Sequence, residues 1–227
     1  MLNTSRSASR AAAWLRENRP TELFLELPPA CEDYLRVADY TEALNLMVED
    51  GLLTPEEAGT LRLEPLLRAA EGCRIHCYLD PMHQLAKREF LQDVLLLSLR
   101  ARVSGRVDVE GWRSAAGRLL KAEERAGERE AAYIASKCTR RGACINLSES
   151  ACRVLERRGI AVRTHVLAEA SKPVDMLLGL LRKERSGSSV SDEELERCIR
   201  AHLRFLELVE TLGYEDAVLR LSYPQDA

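Results

Sequence analysis

Short apolar runs alternate with longer amphipathic stretches over the first three quarters of the chain. Runs at Glu22–Leu27, Cys73–Leu79, 143–147 and 161–166 have the length and alternation of β-strands. The stretches between them carry apolar residues at helical spacing. Strands that alternate with helices indicate an α/β fold, in which a mainly parallel sheet is wrapped by helices.

Helix start signals divide the polar stretches into elements. Thr54-Pro55-Glu56-Glu57 and Ser191-Asp192-Glu193-Glu194 both place a capping hydroxyl three residues before a glutamate. The first of these predicts one helix that ends near Ala70. Ser7 or Ser9 is predicted to cap the first helix, and Asp108 caps another. The run Val94–Leu99, between Asp93 and Arg100, is predicted to be a buried helix face.

The pattern changes after Leu167. Helices are predicted from Ser171 and from Ser191, with the flexible Gly187-Ser188-Ser189 between them. This organisation predicts an α/β domain at 1–167 and a C-terminal helical hairpin at 168–227. The hairpin either packs on the sheet or forms an oligomer interface through its apolar positions, which are Leu203, Phe205, Leu206, Val209 and Leu212.

Composition limits the classes of partner. The 227 residues are 46% hydrophobic and 30% charged, which is typical of a globular protein with a core. A net charge of −3 gives no overall field that attracts nucleic acid. No apolar run approaches the length that spans a bilayer, and the N-terminus lacks the apolar core of a signal peptide. We therefore expect a cytoplasmic protein without membrane or nucleic-acid partners.

Seven cysteines are present, but none forms a CxxC pair. This spacing disfavours a zinc ribbon or finger, and small buried side chains are the more frequent role of such cysteines. The sequence names no metal and no cofactor.

A candidate binding site follows the predicted strand at 143–147. Asn146 and Ser148 lie where this strand becomes a helix, and ligands of open parallel sheets usually bind at such strand ends. A helix N-terminus favours an anion, and Arg141 lies in a short basic loop just before the strand. Plain N-capping by Ser148 is the more frequent alternative.

Acidic residues mark a second candidate. Glu26 lies in an apolar strand, where a carboxylate is costly unless it is paired or borders a pocket. It is either a metal ligand or general base, or the partner of Arg129 or another arginine. Asp80 and His83, after another strand, form a weaker candidate for an acid–base or metal-binding pair, and Asp80 is also a natural helix cap.

Three motifs occur in an order that resembles a known family. They are Phe24-Leu25-Glu26-Leu27-Pro28, the helical Glu128-Arg129-Glu130 with Tyr133-Ile134-Ala135, and Leu155–Ile160 before the last predicted strand. Residues 1–167 in this order resemble the TraB/PrgY group of the TIKI–EreA–ChaN superfamily. The resemblance implies the α/β fold and makes Glu26, Arg129 and Glu130 the catalytic candidates. In TIKI-like members, histidines and glutamates are proposed to serve metal-dependent hydrolysis.

The chain also departs from that family. Neither Gly-x-x-His motif is found, and the second expected position, 143–150, contains Asn146-Leu147-Ser148-Glu149. Carboxylates alone make a poor site for zinc. We therefore favour a TraB-like protein that binds or assembles without catalysis, as a homo-oligomer. The alternatives are a metal-dependent hydrolase, and a regulatory domain that binds a nucleotide or another anion at Asn146, Ser148 and Arg141.

Overall fold

The computed structural model describes residues 4–37, 39–167 and 171–222. Within these ranges the chain is mainly helical and contains a small parallel sheet of three strands. The strands are β1 (Glu22–Leu25), β2 (Arg74–Cys77) and β3 (Gly142–Cys144), in the order β2-β1-β3. Leu23 of the central strand lies opposite Ile75 and Ala143. Three of the four predicted strands are thus confirmed, each shorter than its apolar run.

The helices before, between and after these strands range in length from six to 29 residues. They are α1 (Ser5–Asn18), α2 (Glu32–Val37), α3 (Tyr40–Glu49), α4 (Pro55–Thr60), α5 (Glu64–Ala69), α6 (Pro81–Ser104), α7 (Val109–Lys137), α8 (Glu149–Arg157), α9 (Pro173–Arg185), α10 (Asp192–Leu212) and α11 (Tyr214–Ser222).

The predicted strand at 161–166 is wrong. Residues 160–167 have no strand structure, although their apolar positions alternate. Val162 and Leu167 pack against core side chains, whereas Arg163 and Thr164 are exposed. Val166, which is in phase with Val162, is 81% exposed, so the alternation does not correspond to one buried side. The imidazole of His165 packs on Trp14 with ring centroids 5.1 Å apart.

Several helix start signals are confirmed. Thr54 with Glu57 and Ser191 with Glu194 both form complete capping boxes, and Asp108 Oδ1 accepts a 2.9 Å hydrogen bond from Gly111 N. The first helix starts earlier than predicted, because the Thr4 side chain caps it. The single helix expected from Pro55 to about Ala70 is divided at residues 61–63 into α4 and α5.

Contacts divide the chain into two compact units, and the divisions fall inside α6 and α7 and after residue 168. The first unit contains residues 4–84 and 123–167 of the described ranges, and the second contains 85–122 and 171–222. Residues 85–122 thus belong with the C-terminal helices.

The sheet lies in the core of the first unit. All four residues of β1 are buried, and alternate side chains point to opposite faces. Leu23 and Leu25 pack with Leu15, Met47 and Leu66, as part of one cluster. Phe24 belongs to a different cluster, with Ile134 of α7 and Val154 and Leu155 of α8.

The second unit is helical. Trp112 is fully buried and packs in one cluster with Leu177, Leu195 and Ile199. Phe205, one of the predicted interface positions of the hairpin, packs instead on Ala217 and Val218 of α11. In the part of the chain that the structure describes, no helix combines the length and the apolar character that crossing a membrane requires.

One stretch of α6 differs from its prediction. Val94, Leu97 and Ser98 are buried, but Leu95, Leu96 and Leu99 are exposed. A helix turns by 100° per residue, so six consecutive positions cannot all face one neighbour. The interpretation of Val94–Leu99 as a wholly buried face is therefore wrong.

Candidate functional site

Asp80 lies just beyond the carboxyl end of β2 and connects two helices. Its Oδ1 accepts hydrogen bonds from the backbone N–H groups of Met82 (3.0 Å) and His83 (3.3 Å), so it caps α6. Its carboxylate also receives two hydrogen bonds from the guanidinium of Arg129 on α7, at 2.5 and 3.0 Å. The bonds from Arg129 hold the pKa of Asp80 below its usual value.

Glu130 and His83 form a buried pair beside Asp80. Glu130 Oε1 lies 2.8 Å from His83 Nδ1 and 3.2 Å from the Asp80 backbone nitrogen. Glu130 is 2% exposed and His83 is 4% exposed. The partner of His83 is therefore Glu130, which lies 47 positions along the chain, and not the nearby Asp80 expected from sequence.

A carboxylate that orients an imidazole is an arrangement that general bases use. Here, however, the charged side chains near the ends of the strands already form hydrogen bonds and ion pairs with one another. Arg129 is bound to Asp80 and not to Glu26, and Glu130 accepts from both His83 and the backbone. Glu26 follows β1 and is partly buried near Tyr78. The structure thus brings Arg129 and Glu130 into one hydrogen-bonded network that joins the start of α6 to α7.

The residues of the predicted anion site separate. Ser148 Oγ accepts from the backbone N–H of Ala151 at 3.2 Å, so its expected role as the cap of α8 is confirmed. Asn146 is exposed and has a left-handed backbone with φ of 58°, a conformation that asparagine tolerates better than most residues. Arg141 and Asn146, but not Ser148, line the cleft described next.

A cleft of about 480 Å³ lies beside β3, a size typical of small-molecule sites. We call it the β3 cleft. Its lining combines residues 140–147, residues 160–167 and side chains from α1, β1, α7 and α8. The apolar side chains among them are Trp14, Phe24, Ile134, Ile145, Leu147, Leu155, Ile160, Val162, Val166 and Leu167.

The charged groups of the β3 cleft have one sign. Arg140, Arg141 and Arg163 line it, and the imidazole of His165 lies beside them; among the described residues, no aspartate or glutamate contributes to the lining. Within the ranges that the structure describes, none of these three guanidinium groups pairs with a carboxylate, and Arg141 Nη2 contacts only the amide oxygen of Asn18, at 3.3 Å. Other arginines do form ion pairs, for example Arg113 with Asp192 and Arg157 with Glu128.

Three thiols also line the β3 cleft. They belong to Cys138, Cys144 and Cys152, and all seven cysteines of the chain are free. Burial raises the pKa of the Cys144 thiol to about 12 and also raises those of Cys138 and Cys152. The thiols are therefore neutral near pH 7 and add to the apolar lining, because a reactive cysteine needs the opposite shift.

Sequence reasoning missed a carboxylate that connects distant elements. Glu32 accepts hydrogen bonds from the Cys77 backbone nitrogen, at 3.0 Å, and from the Tyr133 hydroxyl. It also lies 3.7 Å from Nδ1 of His76, whose pKa is lowered by burial. Tyr133 is 101 positions from Glu32, so no local pattern signals this contact.

Neither a metal-binding cluster nor a similar known protein indicates a function for this chain. Among the described residues, no group of three or more His, Cys, Asp or Glu side chains is placed to hold a metal ion. Comparisons with protein-family models, with curated proteins and with solved structures give no match for this chain.

Proposed function

We propose that this chain is a non-catalytic binding protein, and that its ligand is a small organic anion with an apolar or aromatic body, held in the β3 cleft. The observation that carries this proposal is the lining: three guanidinium groups that have no carboxylate partner among the described residues border a largely apolar cleft. An anion that enters gains charge-assisted hydrogen bonds without breaking an existing ion pair. Its body covers apolar surface at Ile145 and Val162, which line the cleft and are partly exposed.

The proposal specifies a class of ligand. A fully hydrated inorganic ion gains nothing from the apolar part of the lining, and an uncharged hydrocarbon gains nothing from Arg140, Arg141 and Arg163. Aryl or alkyl phosphates, sulfonates and carboxylates satisfy both parts, and so does a nucleotide, through its base and phosphate. This ligand class refines the anion expected at Asn146, Ser148 and Arg141, and it replaces Ser148 with Arg140 and Arg163.

The resemblance to the TraB/PrgY group supports the same kind of role. It rests on the motifs around Glu26, Arg129 and Leu155, and it suggests a helix-wrapped sheet that has lost the Gly-x-x-His motifs of a hydrolase. Hydrolysis by Glu26, Arg129 and Glu130 has less support. In that alternative Arg129 and Glu130 must leave the partners Asp80 and His83 before they reach a substrate.

Fluorescence titration with anilinonaphthalene sulfonate, an apolar anion, tests the proposal. We expect saturable binding at one site per chain. The double variant Arg140→Ser/Arg163→Ser removes two of the three cationic contacts, so we expect its dissociation constant to rise by at least about tenfold. Phenylnaphthylamine lacks the sulfonate, and its binding is expected to change by less than about twofold.

A matched control removes the same charge elsewhere. Arg106 and Arg204 are exposed and do not line the β3 cleft, so Arg106→Ser/Arg204→Ser is expected to bind the sulfonate as the original chain does. Far-ultraviolet circular dichroism of all three proteins checks that the fold is unchanged. An absence of saturable binding, or equal weakening in both double variants, contradicts the proposal.

A further inference from the structure

Helix α6 carries apolar side chains on two opposite sides. Phe90, Val94, Leu97 and Ala101 are buried in the second unit. The other side exposes Leu91, Leu95 and Leu99 at a spacing of four residues, flanked by Leu85, Leu96 and Val103. Residues four apart form a continuous stripe on a helix, and these six side chains are called the α6 stripe.

The stripe is unusual for a surface helix. Five of its six residues are more than half exposed, and Val103 reaches 83%. A surface helix normally turns polar residues to solvent, and one that is apolar all round is normally covered on both sides. The six side chains expose on the order of 600 Å² of apolar surface, at the upper end of the largest patch on a typical monomer.

We propose that a second copy of this chain covers the α6 stripe, with the two copies related by a two-fold axis. In a two-fold dimer each copy contributes the same surface, so the stripe of one copy can pack against the stripe of the other and no second patch is needed. Two copies together bury on the order of 1,200 Å², which is the lower limit of a specific and stable interface before polar residues at the rim are counted. The proposal is independent of ligand binding in the β3 cleft.

This assignment moves the expected oligomer contact from the hairpin to α6. Phe205 of the hairpin is buried within its own chain, and Leu203, Leu206, Val209 and Leu212 are partly covered there. The α6 stripe is more exposed than these residues, so burying it yields more hydrophobic free energy per residue.

Sedimentation velocity of the full chain tests the proposal, from about 1 to 100 µM. We expect a dimer. The variant Leu95→Gln/Leu99→Gln places two polar groups at the centre of the stripe, twice per interface, and we expect its dimer dissociation constant to rise on the order of 100-fold or more. The variant is expected to keep its helical circular dichroism, since neither side chain is buried within the chain.

Met176→Gln is the matched control, because Met176 is 53% exposed on α9 and does not belong to the stripe. It is expected to remain dimeric. A chain that is monomeric at every concentration overturns the proposal, and so does a stripe variant that dimerises as tightly as the original chain. A stripe variant that unfolds is replaced by Leu91→Gln/Val103→Gln, which tests the ends of the same stripe.

Discussion

Glu130→Ala is expected to lower the free energy of unfolding by about 3–5 kcal/mol, the range for removing one partner of a buried pair. The substitution leaves His83 Nδ1 and the Asp80 backbone N–H without their shared acceptor. Both groups are then buried beside the capped start of α6, where water does not readily replace the carboxylate. Urea denaturation followed by circular dichroism measures the change.

The neighbouring Glu128 supplies the control. It lies on the same helix, is exposed, and contacts Arg157 at 3.0 Å and Arg158 at 3.5 Å. Exposed ion pairs contribute little, so Glu128→Ala is expected to cost less than about 1 kcal/mol. The double variant His83→Leu/Glu130→Leu is expected to recover the part of the loss that comes from His83, because apolar replacement of both members of a pair is often neutral, whereas the Asp80 N–H still lacks its acceptor. A Glu130→Ala cost no larger than that of Glu128→Ala contradicts this description of the network.

Acidification is expected to destabilise the second unit through His202. This side chain is 5% exposed, and its ring lies 5.6 Å from that of Trp112. Within the described ranges neither ring nitrogen has a hydrogen-bond partner. Burial is the main cause that lowers the pKa of His202 to about 4, Lys172 adds to the effect, and Asp175 opposes it.

The unfolded chain takes up a proton at His202 more readily than the folded chain, so acid favours unfolding. The folded state keeps His202 neutral down to about pH 4, whereas the unfolded chain gains the proton near pH 6.5. Stability linked to this group is therefore complete above about pH 6.5 and is lost as the pH falls toward 4. The difference corresponds to about 2–3 kcal/mol of unfolding free energy between pH 7 and pH 4.5.

Denaturation followed by Trp112 fluorescence in a Trp14→Phe background measures this loss in the second unit. The variant His202→Leu removes the titrating group and fills similar space, so its loss over the same pH range is expected to be about 2–3 kcal/mol smaller. If the unfolding free energy of the original chain and of His202→Leu falls equally with pH, His202 is not the cause of the acid sensitivity.

Local signals in the sequence predicted the elements whose causes are local. The capping boxes at Thr54 and Ser191 depend on residues three positions apart, and both are present. The central strand was visible because Leu23, Phe24 and Leu25 are all buried. Burial on both faces gives a continuous apolar run, which is a strong pattern in a short segment.

The elements that were missed depend on distant parts of the chain. The alternation at 161–166 predicted a strand, but it held no information about whether β3 pairs with another strand there. Val166 of this segment is in fact 81% exposed. The exposed side of α6 could not be predicted, because the sequence does not distinguish an exposed leucine from a buried one. Only the helical turn, combined with the position of the core, separates Leu95 from Leu97.

The sequence nominated residues beside the strands but not the full lining of the β3 cleft. Strand ends directed attention to Asp80, which follows β2, and to Arg141 and Asn146, which flank β3. The pairing of His83 with Glu130 joins residues 47 positions apart, and Arg163 reaches the β3 cleft from a segment predicted to be a strand. Such contacts form only when the chain has folded.

The most direct test of ligand binding in the β3 cleft is a crystal structure of the full chain with bound anilinonaphthalene sulfonate. We predict that the sulfonate lies within hydrogen-bond distance of at least two of Arg140, Arg141 and Arg163, and that the naphthalene ring packs against Ile145 and Val162. Density for the probe at another surface, with the β3 cleft filled by the chain's own side chains, would contradict the proposed function.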